Sequence, residues 1–153
     1  MKKKMNNKGF SLVELIIVIA IMAVLMVVLA PQLLKYVEKT RLQKDNSAIS
    51  EIANAIKVAC ADETIILDVS NAGGRSYSTA ATAGAKTLSF NSSSTDKLEV
   101  ELADVIGASV TTSSTTYSKS TTAITISVSV DGEVTVTGFI SEPNSATTET
   151  KNF

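Results

Sequence analysis

The chain contains 153 residues, with 14 basic and 15 acidic side chains, a single cysteine and no histidine. This length allows one domain and an additional segment, and a formal charge of −1 excludes a general nucleic-acid binder, because no excess of cations exists to neutralise phosphates. The lack of histidine removes the commonest general base and metal ligand, and one cysteine excludes an intrachain disulfide.

The N-terminus combines a basic leader with a long apolar run. The run covers residues 10–30, and Glu14 is its single charged residue. As a helix it would rise about 31 Å, close to the hydrocarbon thickness of a bilayer. Each Leu, Ile or Val favours insertion by about 0.3–0.6 kcal/mol, so together they outweigh one carboxylate near the end of the run. We predict a single-pass helix whose leader lysines stay on the cytoplasmic side. These lysines are Lys2, Lys3, Lys4 and Lys8.

The segment KGFSLVEL resembles the prepilin signature of type IV pilins and their relatives. In that signature a glycine is followed by phenylalanine or methionine, by small and apolar residues, and by a glutamate at the fifth position after the glycine. Gly9, Phe10 and Glu14 stand at these positions, and Pro31 stands where many pilins carry a proline. The resemblance is confined to the N-terminal part of the chain.

This resemblance implies a structural protein and not an enzyme, namely a subunit of a type IV pilus with a role in adhesion, motility or biofilm formation. A prepilin peptidase would remove the leader, residues 1–9, by cutting after Gly9, and would methylate the new amine of Phe10. Residues 10–31 would form the transmembrane and assembly helix, and residues 32–153 the globular head. Loss of the leader lysines would change the formal charge from −1 to −5.

The same resemblance implies the partners and locations of the protein. The prepilin would lie in the cytoplasmic membrane with its N-terminus inside, where the prepilin peptidase and the pilus assembly machinery act on it. The mature chain would then polymerise with copies of itself into an extracellular filament. No cofactor, metal or nucleic acid is expected. The lack of a disulfide fits a pilin of the Gram-positive type.

Glu14 receives two interpretations. By resemblance, cleavage creates a cation on Phe10, and Glu14 of a neighbouring subunit neutralises it and so fixes the axial register of the filament. A pair at a separation of about 4 Å attracts by on the order of 4 kcal/mol before desolvation at an effective dielectric constant near 20. Alternatively, Glu14 lies close enough to the lipid headgroups to reach water.

Other functions remain open at the level of the sequence. A pseudopilin of a secretion or DNA-uptake system would share this N-terminus but form short filaments, whereas a single-span membrane-anchored binding module would not polymerise. A cleaved secretory signal is disfavoured, because Pro31 would directly follow a cut after Ala30 and because an acid such as Glu14 is unusual in that segment.

The pattern predicts one helix from about Phe10 to Ala61, because glycine is absent over this range. Pro31 is expected to kink the helix, since the carbonyl of Val27 loses its N–H partner. The alternative is a break, with Pro31 as the first residue of a separate helix.

The second part of this helix is amphipathic. Apolar residues recur at steps of three and four and predict a stripe that covers a sheet. The stripe consists of Ile49, Ile52, Ala53, Ile56 and Cys60, of which the cysteine is read as a small buried hydrophobe. The interval before it, residues 38–47, is polar. A cluster of cations overlaps this interval, with Glu38 and Asp45 interleaved, and is predicted to be a solvated helix face. The cations are Lys35, Lys39, Arg41 and Lys44.

Signals beyond the helix are shorter. Residues 64–69 fit either a last helical turn or a short strand. Residues 70–86 are rich in Ser, Ala, Gly and Thr and are predicted to be a loop, and residues 87–90 a short strand.

Residues 96–107 predict a short helix, with a cap at residues 94–95, an end at Gly107, and a strand as the alternative. Residues 110–122 form a Ser/Thr tract around Tyr117 and predict a surface loop or strand edge.

Residues 121–139 give the clearest strand signal. Apolar and hydroxyl residues alternate on both sides of Asp131–Gly132, which predicts a hairpin with a two-residue turn. The tail from Ser141 is predicted to be loosely held. Together the elements predict an α+β fold, in which a long N-terminal α-helix packs against a small antiparallel β-sheet head. The first half of that helix spans the membrane and its second half is amphipathic.

No catalytic constellation is found in the sequence, which lacks phosphate-binding glycine loops and EF-hand spacing as well as histidine. Asp62, Glu63 and Asp68 could line a cation site, but a solvated surface is the preferred interpretation. The acids of the predicted short helix are interpreted as its solvated face, and they are Glu99, Glu101 and Asp104.

Overall fold

A computed structural model describes residues 9–143, 145 and 147–153. The leader lysines, on which the predicted orientation depends, lie outside the described residues. The chain divides into two compact units, one that ends at Tyr36 and one that runs from Val37 to Phe153. In chain order the elements are α1 (Leu12–Ala59), α2 (Glu63–Asn71), β1 (Arg75–Ser78), β2 (Thr87–Ser89), α3 (Lys97–Val105), β3 (Ser109–Thr111), α4 (Thr115–Lys119), β4 (Thr125–Val128), β5 (Val134–Phe139) and β6 (Glu149–Asn152).

Helix α1 begins and ends slightly inside its predicted bounds. It is continuous through Pro31, so the alternative of a separate helix starting at this proline is wrong. The kink at Pro31 stays a prediction. The helix gives way to a turn in which the N–H of Asp62 donates to the carbonyl of Ala59 at 3.0 Å.

The ambiguous segment 64–69 is helical and belongs to α2. Asp62 forms its N-cap, because the side-chain Oδ1 accepts the N–H of Thr64 at 2.7 Å. Ile65 and Val69 lie four residues apart and are both buried, so α2 contributes one apolar face to the core.

Four antiparallel strands form the main sheet in the order β1-β4-β5-β6. The predicted hairpin is confirmed as β4 and β5, in which Ile126 lies opposite Val136 and Val128 opposite Val134. The alternation of apolar and hydroxyl residues therefore separates a buried face of this hairpin from a partly exposed one.

The connection between β4 and β5 covers residues 129–133 and is longer than predicted. The N–H of Ser129 donates to the carbonyl of Glu133 at 2.9 Å, and the N–H of Gly132 donates to the carbonyl of Ser129 at 3.0 Å. Gly132 has φ +81°, the left-handed conformation that follows a type I turn in longer hairpin loops. The two-residue turn predicted at Asp131–Gly132 is therefore wrong in length.

The segment 70–86 is not a simple loop, as predicted, because it contains β1, which pairs antiparallel with β4. The remainder is held by Lys86, whose side chain is 2% exposed. Its Nζ donates to the carbonyls of Ala80 at 3.0 Å and Thr82 at 2.6 Å. The short, hydroxyl-rich β1 lacks the apolar alternation that identifies a strand from sequence.

The end of the C-terminal tail, residues 149–153, is ordered, so the prediction that the tail is loosely held is wrong for this part. Strand β6 pairs with β5, and the N–H of Phe153 donates to the carbonyl of Val134 at 2.9 Å. The Nζ of Lys151 lies 3.8 Å from the ring centroid of Phe139, a cation–π contact. All four side chains of β6 are exposed, so hydropathy gives no indication of this strand.

Strands β2 and β3 form a separate two-stranded sheet, which confirms the short strand predicted at the position of β2. Helix α3 confirms the predicted short helix. Its cap is Asp96 and not residue 94 or 95, because Asp96 Oδ1 accepts the N–H of Leu98 at 3.0 Å. Gly107 follows its end with φ +101°, a conformation that favours glycine.

The Ser/Thr tract 110–122 contains the end of β3 and the whole of α4. Ser114 caps α4 by accepting the N–H of Tyr117 at 3.1 Å. Tyr117 is 0% exposed and belongs to the core. The prediction of a surface loop around this tyrosine is therefore wrong.

The second part of α1 and the two sheets share one apolar core. The predicted stripe is confirmed, and Cys60 lies partly buried at its edge. The fully buried members of the stripe are Ile49, Ile52, Ala53 and Ile56. A long N-terminal helix that packs with a small antiparallel sheet is the predicted α+β fold.

Gly138 tests the geometry of the sheet. It lies where the register between β5 and β6 shifts, has φ +82°, and leaves no room for a Cβ, which would overlap the carbonyl of Ala123. We expect Gly138→Ala to lower the free energy of unfolding by more than the ~1–2 kcal/mol that left-handed backbone alone costs alanine. Urea denaturation of the detergent-solubilised chain measures this.

Gly73→Ala is the matched control, because Gly73 also has positive φ (+76°) but nothing lies within 4 Å of the added Cβ. Equal losses of stability in the two variants would contradict the overlap at Ala123.

Candidate functional site

The apolar part of α1 is exposed along its length. Phe10, just before the helix, is 89% exposed, and the large apolar side chains from Leu12 to Leu34 are each about half exposed or more. Among the described residues, α1 is a helix long and apolar enough to cross a membrane, and 0% of its most apolar window is buried. The core helix of a soluble protein would be mostly buried. The apolar surface of this segment must therefore be buried by something outside the chain, such as lipid or other protein.

Glu14 lies in the first turn of this helix and contacts its own chain. Its Oε2 accepts the backbone N–H of Ser11 at 2.9 Å, while the carbonyl of Ser11 accepts the N–H of Leu15 at 3.2 Å. Ser11 directly precedes the helix and Glu14 follows it by three residues, which is the spacing of a capping box. The sequence contains this S-x-x-E signal, so the intrachain partner of Glu14, which neither interpretation of this residue included, was readable from it.

Gly9 and Phe10 precede the helix, and both are exposed. A Cβ placed on Gly9 would find nothing within 4 Å, so the peptide bond after Gly9 is sterically open. The structure therefore leaves this bond accessible to an enzyme, while cleavage and methylation stay predictions.

A second group of polar residues joins α1 to the loop before α4. We call Glu38, Asp45 and the loop residues they bind the carboxylate clamp. Asp45 is 4% exposed. Both of its oxygens accept the N–H of Ser113 at 2.9 Å, and Oδ2 accepts the N–H of Ser114 at 2.7 Å. Asp45 therefore does not belong to a solvated face, which corrects the sequence-based interpretation.

Glu38 makes a similar contact nearby. Its Oε1 accepts the N–H of Thr116 at 2.8 Å and the hydroxyl of Thr116 at 2.9 Å. Burial raises the pKa of Glu38, but the hydrogen bonds from Thr116, with further ones from Thr115, outweigh it, so the pKa lies below its usual value. The clamp thus favours the ionised form of Glu38.

Tyr117 extends the connection from α1 to the sheet. Its hydroxyl donates to Asn46 Oδ1 at 2.7 Å and accepts the N–H of Ile140 at 3.1 Å. Asn46 Nδ2 in turn donates to the carbonyl of Ile140 at 2.8 Å. Burial raises the pKa of Tyr117 to about 12, with a further increase from Asp45 and an opposing effect of the Ile140 N–H. Tyr117 is therefore a neutral donor at physiological pH.

The spacing of the clamp residues explains why α1 can hold them. Glu38 and Asp45 lie seven residues apart, with Leu42 between them, and this series leads directly into the buried stripe at Ile49. Positions separated by three, four or seven residues share one helix face. The inward face of α1 thus begins with two carboxylates. Because both residues are charged, the sequence pattern placed them on the solvated face. The cations of the same interval are exposed as predicted, and they are Lys35, Lys39, Arg41 and Lys44.

Of the three acids considered as a cation site, Asp62 and Asp68 have structural partners. Asp62 caps α2, and Asp68 lies 3.2 Å from Arg75 Nη2. Arg75 Nε also lies 2.6 Å from Asp96 Oδ2, off the N–H direction, so this contact is an ion pair. Within the described ranges, no three His, Cys, Asp or Glu side chains come together as a metal site requires.

Glu99 also has a partner, since its Oε1 accepts the N–H of Asn91 at 3.0 Å. Glu99 is thus partly exposed and bound at the edge of the predicted solvated face, whereas Glu101 and Asp104 are exposed as predicted.

Comparison with known protein families gives a match at the N-terminal part of the chain. Residues 4–30 match the family described as the prokaryotic N-terminal methylation motif. The matched range contains Gly9, Phe10 and Glu14, together with most of the exposed apolar segment of α1. No curated protein and no solved structure matches the chain.

Asp45 is expected to stabilise the head. Asp45→Ala leaves the buried N–H of Ser114 without an acceptor, so we expect the free energy of unfolding to fall by about 1–3 kcal/mol. Asp45→Asn keeps one acceptor oxygen and should lose less. Ser47→Ala, at an exposed position two residues further along α1, is the control, and equal losses at residues 45 and 47 in urea denaturation would contradict the clamp.

Glu38 is expected to make stability depend on pH. Its folded-state pKa lies below the unfolded value of about 4.3, so its contribution is complete above that pH and is lost as pH falls through the folded-state pKa. We expect the stability difference between the wild type and Glu38→Gln to be largest at neutral pH and to shrink in increasingly acidic buffers. Urea denaturation across this range measures it, and a constant difference would contradict the assignment.

Proposed function

We propose, from the type IV prepilin signature that the chain carries, that it is a structural subunit of a type IV pilus. In the proposed pathway a prepilin peptidase cuts after Gly9, which removes residues 1–9, and methylates the amine of Phe10. Residues 10–31 then serve first as a membrane anchor and afterwards as the assembly helix. Residues 32–153 form the head, which serves adhesion, motility or biofilm formation.

The observation that carries this proposal is the position of the signature at the start of a long helix whose first part is an exposed apolar segment. The head has its own core, which residues 10–34 do not enter. Apolar surface of this extent is covered in water by lipid or by other protein. Lipid supplies the cover while the chain is in the membrane, and the corresponding helices of other copies supply it in a filament.

Glu14 has a defined part in this exchange. Cleavage creates a cation at Phe10, and an unpaired charge in a helix bundle is costly to bury. Glu14 of a neighbouring copy neutralises it. A carboxylate has about four lone-pair sites, so the bond to Ser11 leaves acceptor capacity for that amine. The role of Glu14 in one chain is therefore a helix cap, and its role between chains is a counter-ion.

The capping bond makes a sharp test of this role possible. Glu14→Gln keeps an acceptor for the N–H of Ser11 but removes the charge, whereas Glu14→Ala removes both. We expect the peptidase to process both variants. We also expect both to assemble poorly, so that the fibres sheared from cells contain less of either variant than of the wild type. The mass of the mature N-terminus reports processing, since it should begin at a methylated Phe10.

Each of the other possible outcomes would contradict a different part of the proposal. Normal fibres from Glu14→Gln together with few from Glu14→Ala would assign Glu14 to capping alone. Normal fibres from both would remove Glu14 from assembly. A native N-terminus at Met1 would overturn the proposed processing and favour a membrane-anchored binding module.

A pseudopilin shares the matched motif, so it is the second candidate. It differs in the length of its filaments. Electron microscopy of the sheared fraction separates the two, because long fibres that contain this chain require a pilin, whereas an empty sheared fraction with a processed N-terminus favours a pseudopilin.

A further inference from the structure

An anionic groove lies at the far end of the helical part of the head. It is a cavity of about 430 Å³ between the end of α1, the start of α2 and α3. Val58 and Val105 line it and are 74% and 65% exposed. Asp62 and Glu101 line it as well and are exposed. We call these four residues the anionic groove.

A cationic stripe lies at the other end of the same part of α1. Val37, Arg41 and Lys44 follow one another at steps of four and three, so they share one helix face. All three are exposed, Val37 by 39%. The stripe complements the groove: its apolar side chain matches the two valines of the groove, and its two cations match the two acids.

The stripe lies on a head with an acidic balance, because acidic side chains outnumber basic ones over residues 37–153. Arg75 is occupied by Asp68 and Asp96, and Lys86 is buried. Further exposed cations are Lys39, Lys57, Lys97, Lys119 and Lys151. The stripe joins two exposed cations to an exposed apolar side chain on one helix face, which is the combination that the groove complements.

We propose that the anionic groove of one copy receives the cationic stripe of a second copy of this chain. Val37 of the second copy contacts Val58 and Val105, while Arg41 and Lys44 approach Glu101 and Asp62. This inference rests on the proposed filament function, and it adds a contact between heads to the contact between apolar helices.

The positions of the two surfaces make the contact intermolecular. Arg41 and Val58 are separated by about 26 Å along one continuous helix at 1.5 Å per residue, so the stripe cannot reach the groove of its own chain. A contact between two different patches is heterologous, and it continues from copy to copy when its rotation does not close a ring. Because Val37 contacts Val58, the contact thus places neighbouring heads with an axial offset of about 31 Å when their helices are parallel.

The contact is expected to be weak on its own and sensitive to salt. Exposed ion pairs contribute little individually and are screened at high ionic strength. The head contact therefore adds register and cohesion to an assembly that the apolar helices already hold together.

Disulfide trapping in fibres tests the proposal directly. The variant carries Val37→Cys and Val58→Cys in a Cys60→Ala background, which leaves no other thiol. The two new cysteines lie about 31 Å apart in one chain, far beyond the ~7 Å between Cα atoms that a disulfide allows. Oxidation of sheared fibres should therefore produce a ladder of dimers, trimers and larger multiples of this chain.

The matched control is Lys39→Cys with Val58→Cys in the same background. Residue 39 lies two positions from residue 37 and so faces roughly the opposite side of α1. It should give no ladder. A ladder in the control as well would show that the trapping is unspecific and would overturn the assigned surfaces.

A charge swap provides an independent measurement. Lys97 acts electrostatically on Asp62, so Glu101 is the cleaner acid to change. Arg41→Glu and Glu101→Arg should each lower the yield of sheared fibres severalfold at low ionic strength, where the ion pairs are least screened, and the double variant should restore it. Glu133→Arg, at an exposed position outside the groove, should leave the yield unchanged.

The outcomes separate this inference from the function on which it rests. Fibres that form normally but give neither ladder nor rescue would overturn the head contact and leave the pilus function intact. Cross-linking to a protein of another mass would show that the occupant is not a second copy. If the wild-type chain forms no fibres at all, the proposed function and the head contact are both overturned.

Discussion

The exposed apolar surface of α1 between Phe10 and Leu34 is the constraint on which the rest of the protein depends. Each square ångström of such surface costs about 25 cal/mol when it faces water, so the segment needs lipid or protein around it in every state. The remainder of the chain must therefore fold without those side chains. It does so by building a core from Leu42 onward, in which the second part of α1 packs with two small sheets.

The side chains of α1 thus change from exposed and apolar to partly buried along its length, while its backbone stays continuous. Before Tyr36 its apolar side chains are exposed, and after Glu38 one face is buried and the other polar. The carboxylates of Glu38 and Asp45 lie at this change. They bind the backbone of the loop before α4, so the first inward contacts of the head are hydrogen bonds and not apolar packing. Exposed apolar surface therefore ends where specific polar contacts begin.

Periodicity was sufficient where the pattern was long. It predicted the long helix, the stripe around Ile52, and the hairpin of β4 and β5. It failed where partners lie far away in the sequence. Asp45 accepts a hydrogen bond from a residue 68 positions further on. Tyr117 bonds to Asn46 at a separation of 71 residues, and neither pairing leaves a local pattern in the sequence.

Strands β1 and β6 were missed because they are short and polar, and only pairing with neighbouring strands defines them. The capping role of Glu14 was readable from its distance to Ser11, whereas the length of the hairpin loop required the backbone geometry of Gly132.

The bonds among Asn46, Tyr117 and Ile140 have a mechanical consequence. Ile140 directly follows β5, so these bonds connect α1 to a central strand of the main sheet through two side chains. With a single cysteine, the head has no intrachain disulfide to resist traction. A pull that enters through α1 is shared among buried hydrogen bonds, which break at moderate force and form again after release.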